Sequence, residues 1–269
     1  MLVNSSIHNH STFCDGKNLP EEMAQSAYQA GFQDFGILCH ATMTTGDYDW
    51  PIRDEKGFQN TLSKLKKEYE GKMRLYCGIE RDYFGKMSEG FDYVIDGVHQ
   101  IYYGGRYFDV DHSENIFKKD IEQGFGGNVK KYVEVYYQTV SQMVERNNPE
   151  YLAHVDLVTK FNDGFKFFNE EEKWYLDFAK ECVEFAINRG ALIEMNFGAM
   201  TRGVKSTPYP SLNLLEFIKQ KNGRIIIGGD CHSANFVAFG MKEGEEILKN
   251  KGFKSVTVYR NGKYIEIGL

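Results

Sequence analysis

Proline is scarce in this chain, five in 269 residues, and no proline-rich linker divides it, so one domain over residues 1–269 is the simplest organisation. Cysteine is equally sparse. The five (Cys14, Cys39, Cys77, Cys182, Cys231) are odd in number and lack C-x-x-C spacing, which argues against a disulfide framework or a cysteine-based zinc finger and makes a reducing cytoplasm the expected compartment. No run of 18 uncharged apolar residues occurs, and the first ten residues have no basic flank ahead of an apolar stretch. Neither a membrane span nor a secretory signal is expected. Positive charge is also lacking: 32 basic against 38 acidic side chains leave −6, so nucleic-acid binding through bulk charge is not expected. What the chain has in plenty is aromatic side chains, 17 Tyr, 20 Phe and 2 Trp, in a composition 42% hydrophobic and 26% charged. That suffices for a full buried core.

Short apolar runs alternate with longer segments of helical period, the pattern of strand–helix units around a parallel sheet. Leu2–Ile7, Phe35–Cys39, Met73–Ile79, Tyr93–Val98, Tyr151–Ala153, Ala191–Met195 and Arg224–Gly229 predict seven strands. Each stops at a polar residue: His8, His40, Glu80, His99, His154, Asn196 and Asp230. Helices are predicted over Pro20–Ala30, Gly57–Tyr69, Val129–Asn147, Glu170–Arg189, Ser211–Lys221 and Lys242–Lys249. In the third of these, Tyr132, Val133, Tyr136, Tyr137, Val140, Met143 and Val144 recur at three- and four-residue steps, one apolar face to cover a sheet. Asn261-Gly262 between Ser255–Arg260 and Lys263–Ile267 predicts a closing hairpin. Tyr102–Gly127, rich in glycine, aromatic and acidic residues without a clear period, reads as a long loop region with short helices beside the site.

Six of the seven histidines, His8, His10, His40, His99, His154 and His232, fall at or just past predicted strand ends; only His112 does not. In a closed parallel barrel all strand carboxyl ends open on one face, so these imidazoles would share a mouth with Asp15, Glu80 and Asp230. Each fragment alone has an ordinary explanation. Alternation on an extended segment puts both histidines of His8-x-His10 on one side, Asp230-Cys231-His232 could be a helix cap, and Glu80 or His99 could be a satisfied polar core group. Together, nine such groups at strand ends are costly to bury unpaired and too many for one ion. Two or three divalent metal ions, zinc, iron or manganese, are implied.

The ordered set His8-x-His10 with Cys14-Asp15-Gly16, His40, Gly78-Ile79-Glu80, Gly97-Val98-His99, Ala153-His154-Val155-Asp156, Glu194-x-Asn196 and Gly229-Asp230-x-His232 resembles the PHP (polymerase and histidinol phosphatase) family. The resemblance spans nearly the whole chain and is closest to the family's histidinol-phosphate phosphatases. It implies an α/β fold, a distorted TIM-like (β/α)7 barrel with its metal site at the C-terminal ends of the strands. It also implies a trinuclear centre. His8, His10, Glu80 and Asp230 would hold one ion, Glu80, His99 and His154 a second, and Asp15, His40 and His232 a third, with Glu80 bridging. Asp15, Glu80, Asp230 and His232 are then the catalytic candidates, and Arg202, Lys160 and Asn196 the substrate-binding ones. The family usually carries an acidic residue two positions before the first histidine; here that position is Ser6.

The activity so implied is hydrolysis of L-histidinol phosphate, a small phosphate monoester, to L-histidinol and phosphate in histidine biosynthesis, with a metal-bridging hydroxide as nucleophile. Tyr102, Tyr103, Asp109 and Asp111 are the candidates for meeting the imidazole and amine of that substrate. Another PHP phosphoesterase, acting on protein tyrosine phosphate or nucleotides, and a non-catalytic metal-binding PHP domain are the alternatives. No nucleic-acid or membrane partner is expected, and the sequence carries no sign of an oligomeric state.

Overall fold

The computed structural model describes residues 3–269. In its first half the elements run β1 (Ser5–Ser6), α1 (Pro20–Gln29), β2 (Asp34–His40), α2 (Glu55–Glu68), β3 (Arg74–Asp82), β4 (Tyr93–Gly97), β5 (Gln100–Tyr103), β6 (Arg106–Asp109) and α3 (Glu114–Lys119). The second half adds α4 (Val129–Asn147), β7 (Tyr151–Leu152), α5 (Lys173–Asn188), β8 (Leu192–Asn196), α6 (Gly198–Thr201), α7 (Leu212–Gln220), β9 (Ile225–Gly228), α8 (Met241–Asn250), β10 (Ser255–Arg260) and β11 (Lys263–Gly268). The main sheet has the order β1-β2-β3-β4-β7-β8-β9-β10-β11, parallel throughout except for the last, antiparallel pair. Past β1 the chain stays extended, and Asn9 forms a parallel bridge with Cys231 just beyond β9, His10 N donating to Cys231 O at 2.8 Å. That bridge brings the seventh strand back to the first. β10 fills the other half of the seam, pairing with β9 at Ile226 while Ser5 Oγ donates to Tyr259 O at 2.7 Å. The arrangement is the α/β, TIM-like architecture implied by the sequence, distorted where β1 is short and β10 enters.

Period-two alternation sorts the strand residues into layers along the interior. Ile7, Leu38, Tyr76, Tyr93, Ile95, Tyr151, Leu192, Ile226 and Tyr259 form an apolar floor, separate from the larger core between strands and helices. Two and four residues further along the same faces come His40 on β2, Gly78 and Glu80 on β3, Glu194 and Asn196 on β8, and Gly228 and Asp230 on and beyond β9. The floor thus carries a polar layer above it. The Tyr93 ring lies across two neighbouring strands, and only glycine leaves it room: a Cβ at Gly36 would stand 2.3 Å from the Tyr93 hydroxyl, and one at Gly78 2.2 Å from the ring.

The predicted elements are present with shifted ends. β3 continues to Asp82, so Glu80 lies inside a strand rather than past it, because β2 pairs it on one side and β4 on the other. α2 begins at Glu55, where the Asp54 carboxylate accepts from Gly57 N. α5 begins at Lys173, not Glu170, whose buried carboxylate is held by Asn162 Nδ2 at 2.9 Å and Lys205 Nζ at 3.6 Å. The expected loop region after Tyr102 is more regular than predicted. Gly104 and Gly105, both at positive φ, turn β5 into β6, and α3 and a π-helical turn over Asp120–Gly124 follow. The predicted first strand includes Leu2, which lies outside the described residues. Among the described residues no helix is long and apolar enough to cross a membrane.

Gly78→Ala is expected to destabilise the fold by about 1–3 kcal/mol through overpacking against Tyr93. Urea denaturation should show most of that loss relieved in a Tyr93→Leu background; an equal loss in both backgrounds would mean the ring is not the obstacle.

Candidate metal centre

The strand ends converge on Glu80, which is 1% exposed. Its Oε2 lies 3.3 Å from His8 Nε2, 3.3 Å from His10 Nε2 and 3.2 Å from His40 Nδ1. Its Oε1 lies 2.9 Å from His154 Nε2 and 3.4 Å from His99 Nε2. Asp230 Oδ1 stands 3.6 Å and 3.5 Å from the same nitrogens of His8 and His10. On the outer side Asp15 reaches His10 Nδ1 at 3.5 Å, His40 Nε2 at 3.7 Å and His232 Nε2 at 3.1 Å. All nine side chains singled out in the sequence therefore meet in one cluster, and His112 stands apart at the cavity wall. Donor groupings compact enough for an ion are His8–His10–Glu80, His8–His154–Asp230, His40–Glu80–His99 and His10–Asp15–His40–His232. They overlap, and they place His154 with His8 and Asp230 and His99 with His40 and Glu80, whereas the resemblance implied His99 and His154 together on Glu80.

The unpaired atoms of the cluster show what it is suited to hold. His8 Nε2, His10 Nε2, Glu80 Oε2, His99 Nδ1 and His154 Nδ1 are buried without a hydrogen-bond partner. An unsatisfied buried polar atom costs about 1–3 kcal/mol, and several divalent ions among mixed nitrogen and oxygen donors would remove that cost. Electrostatics agree. Burial disfavours a charged His8, but Glu194, Glu80 and Asp230 outweigh it and raise its pKa well above the ordinary value. Against the same burial, contacts with Cys14, Glu80 and Asp15 carry His10 to about 10, and Glu80, Asp82 and Asp111 carry His99 to about 9. At His40 burial wins, and the value falls to about 4. Burial opposes ionisation of Glu80 and Asp230 too, yet surrounding imidazoles, with Arg202 at Asp230, hold both well below the usual carboxylate range.

Above the cluster opens a cavity of about 490 Å³. Arg202 and Lys160 both line it. Arg202 Nη1 is 3.0 Å from His232 Nδ1 and Nη2 is 3.3 Å from Asp230 Oδ2, while Lys160 Nζ is 2.9 Å from Asp111 Oδ2. Asn196, the third substrate-binding candidate, is not at the cavity. It is fully buried, its Nδ2 donating to Glu194 Oε2 at 2.8 Å and Asp230 Oδ2 at 3.3 Å and its Oδ1 accepting from Gly198 N at 2.8 Å, which leaves no atom for a substrate. Tyr102 and Tyr103 are also absent from the lining, packed instead on Tyr107 and Phe125 with ring centroids 4.8 Å and 4.4 Å apart. Asp109 and Asp111 do line it, and the rings there are Trp50 and Phe236. Trp50 stands edge-on to His40 at 4.8 Å. Nothing in its loop sequence marks Trp50, or the cavity residue Lys17, as functional. Asp82, whose Oδ2 accepts the His99 backbone N–H at 2.6 Å, had the signal of sharing a strand face with Glu80.

Without metal, His10 and His99 hold protons up to about pH 10 and 9, against an ordinary 6.5 in the unfolded chain. The folded state then binds more protons between those values, so the stability they contribute is complete below pH 6.5 and falls as pH rises toward 9–10. Zinc displaces the same protons, so its affinity rises over that range. Calorimetric Tm series on chelator-treated and zinc-loaded protein should diverge with rising pH; parallel curves would overturn this account.

Residues 6–197 match the PHP domain family. The histidinol-phosphatase of Bacillus subtilis (strain 168) is 24% identical over 257 residues, covering 86% of this chain and 94% of that protein. A candidate histidinol phosphatase from Listeria monocytogenes superposes with a TM-score of 0.76 at 18% identity, over 88% of this chain and 98% of the other. The histidinol phosphate phosphatase of Lactococcus lactis subsp. lactis, solved with zinc, L-histidinol and phosphate, gives 0.71 at 18% identity, over 97% and 98%. The two superpositions establish a shared fold. With the family match extending over well more than half its length, and nine imidazole and carboxylate side chains gathered at the strand ends, the chain belongs to the PHP domain family.

Proposed function

We propose that this metal-dependent phosphatase of the PHP family hydrolyses L-histidinol phosphate to L-histidinol and phosphate, a step of histidine biosynthesis. The observation that carries the proposal is a nine-residue donor cluster lying under a cavity whose wall presents both cations, Arg202 and Lys160, and carboxylates, Asp109 and Asp111. A phosphate monoester dianion bearing an amine needs both. Two relatives support the substrate: the Bacillus subtilis protein, matched over 94% of its length, is a histidinol-phosphatase, and the Lactococcus lactis structure was solved with L-histidinol and phosphate.

His8, His10, Glu80 and Asp230 would hold one ion, Glu80, His99 and His154 a second, and Asp15, His40 and His232 a third. Such ions, when bound, supply water acidic enough to furnish hydroxide near neutral pH and positive charge for the phosphoryl oxygens. Arg202 stays charged, because Asp230 and its other anionic neighbours outweigh the burial that would discharge it. Held by His232 and Asp230, its guanidinium offers paired donors to phosphoryl oxygens as charge builds in the transition state. Lys160, fixed by the Asp111 carboxylate and backbone carbonyl, both at 2.9 Å, is the second cation. Asp15 and His232, 3.1 Å apart, would hold the third ion at the cavity edge, beside the Arg202 guanidinium. Asp109 is fixed by Gln100 Nε2 at 2.5 Å and faces the substrate amine, with Trp50 and Phe236 as stacking surfaces for the imidazole.

The full donor set favours catalysis over a purely structural metal site. Phosphate release by zinc-loaded protein should show kcat/KM for histidinol phosphate at least about 100-fold above that for a phosphotyrosine peptide or a nucleoside monophosphate, as expected of a site with built polar contacts. A higher value on either competitor would transfer the assignment to another PHP phosphoesterase. Asp109→Asn should raise KM for histidinol phosphate while sparing a generic aryl phosphate. Asp111 is the poorer probe because it also holds Lys160. Equal losses on the two substrates would remove Asp109 from amine recognition.

A further inference from the structure

The Glu194 carboxylate in the barrel interior belongs neither to the ligand set nor to the cavity. Glu194, on β8 beneath the cluster, is fully buried. Four donors converge on it. Oε1 accepts from His8 Nδ1 and from the Tyr151 hydroxyl, both at 2.7 Å, and Oε2 accepts from the His154 backbone N–H at 2.9 Å and from Asn196 Nδ2 at 2.8 Å. Its space exists because residue 228 is glycine: a Cβ there would fall 1.8 Å from Glu194 Oε1. Asn196 carries the connection onward to Asp230 Oδ2 at 3.3 Å, and Gly198 clears the way for that carboxylate, since a Cβ at Gly198 would stand 2.3 Å from it. His154 and Asp230 have φ of 22° and 44°, a left-handed backbone that L-residues adopt only where the surroundings impose it.

We infer that Glu194 and Asn196 are a positioning pair that presets the metal centre, Glu194 orienting His8 and His154 and Asn196 orienting Asp230. A neutral imidazole has one N–H and one lone pair, and the partner of one nitrogen decides which. With a carboxylate on Nδ1, His8 keeps a proton there, and Nε2, facing Glu80 and Asp230 without a hydrogen-bond partner, is the nitrogen left for an ion that displaces the other proton. The same carboxylate holds the His154 backbone N–H and so keeps the strained turn that brings its ring over Glu80. Glutamine cannot substitute. Its NH2 would confront either His8 and Tyr151 or the His154 N–H and Asn196, all of which donate to this site. The inference rests on the metal-dependent reading of the cluster and not on the identity of the substrate.

Zinc affinity, measured by competition with a chromophoric chelator, should fall about 10–100-fold in Glu194→Gln. Histidine ¹⁵N spectra of the zinc-loaded wild-type protein should show His8 protonated at Nδ1 and bound through Nε2. If Glu194→Gln fails to fold, Asn196→Ala reads the other arm and should weaken zinc about tenfold through Asp230. Native zinc affinity in a folded Glu194→Gln protein, a lowered Tm of that variant without a change in affinity, or His8 bound through Nδ1 would each overturn the inference. Absence of zinc uptake by the wild-type protein would instead remove the metal reading beneath it, whatever its activity on histidinol phosphate.

Discussion

The Glu80 carboxylate faces five imidazoles at 2.9–3.4 Å from within a strand paired on both edges, and the rest of the site is arranged around that contact. A buried carboxylate of this kind is tolerable only among cations, and the nearby groups that can carry or recruit positive charge are the histidines of other strands. Those histidines come from four separate stretches of chain, so the interaction exists only once the strands have closed on one another. The return of β9 to the first strand through the Asn9–Cys231 bridge is what completes it, bringing His8 and His10 beside Asp230 and His232.

The interior is graded from apolar to charged along its axis. Leu38, Tyr76, Tyr151, Leu192 and Ile226 exclude water from the floor. Glycines at 36, 78 and 228 give up side chains so that Tyr93 and Glu194 can occupy the width of the barrel. Above them Glu194 accepts from His8 Nδ1, Asn196 donates to Asp230 and Asp82 accepts from the His99 backbone N–H, while Asp15, His40, His99, His154, Asp230 and His232 line the cavity. Rigidity below and access above are properties of the same strands, separated by two residues of alternation.

The cavity wall divides by charge. Arg202 and Lys160 sit on loops after β8 and β7, while Asp109 and Asp111 come from the hairpin β5–β6 and the segment after it. Under the proposed function, discrimination between esters would fall to this wall. Each of the two superposed structures shares 18% of its sequence with this chain, and the fold persists.

Much of this was legible in the sequence. The strand positions, the placing of His8, His40, His99 and His154 at strand ends and the joint presence of Asp15, Glu80, Asp230 and His232 follow from local patterns, because strand period and donor chemistry belong to a residue and its immediate neighbours. The burial of Asn196, the turning away of Tyr102 and Tyr103, and the entry of Trp50 and Lys17 into the cavity were not legible. Each depends on which side chains from distant segments arrive at the same place. An amide at a strand end becomes a support or a substrate contact according to whether Glu194 and Asp230 reach it first. Only closure of the barrel decides that, since hydrogen-bond partners separated by tens of residues have no local trace in the chain that makes them.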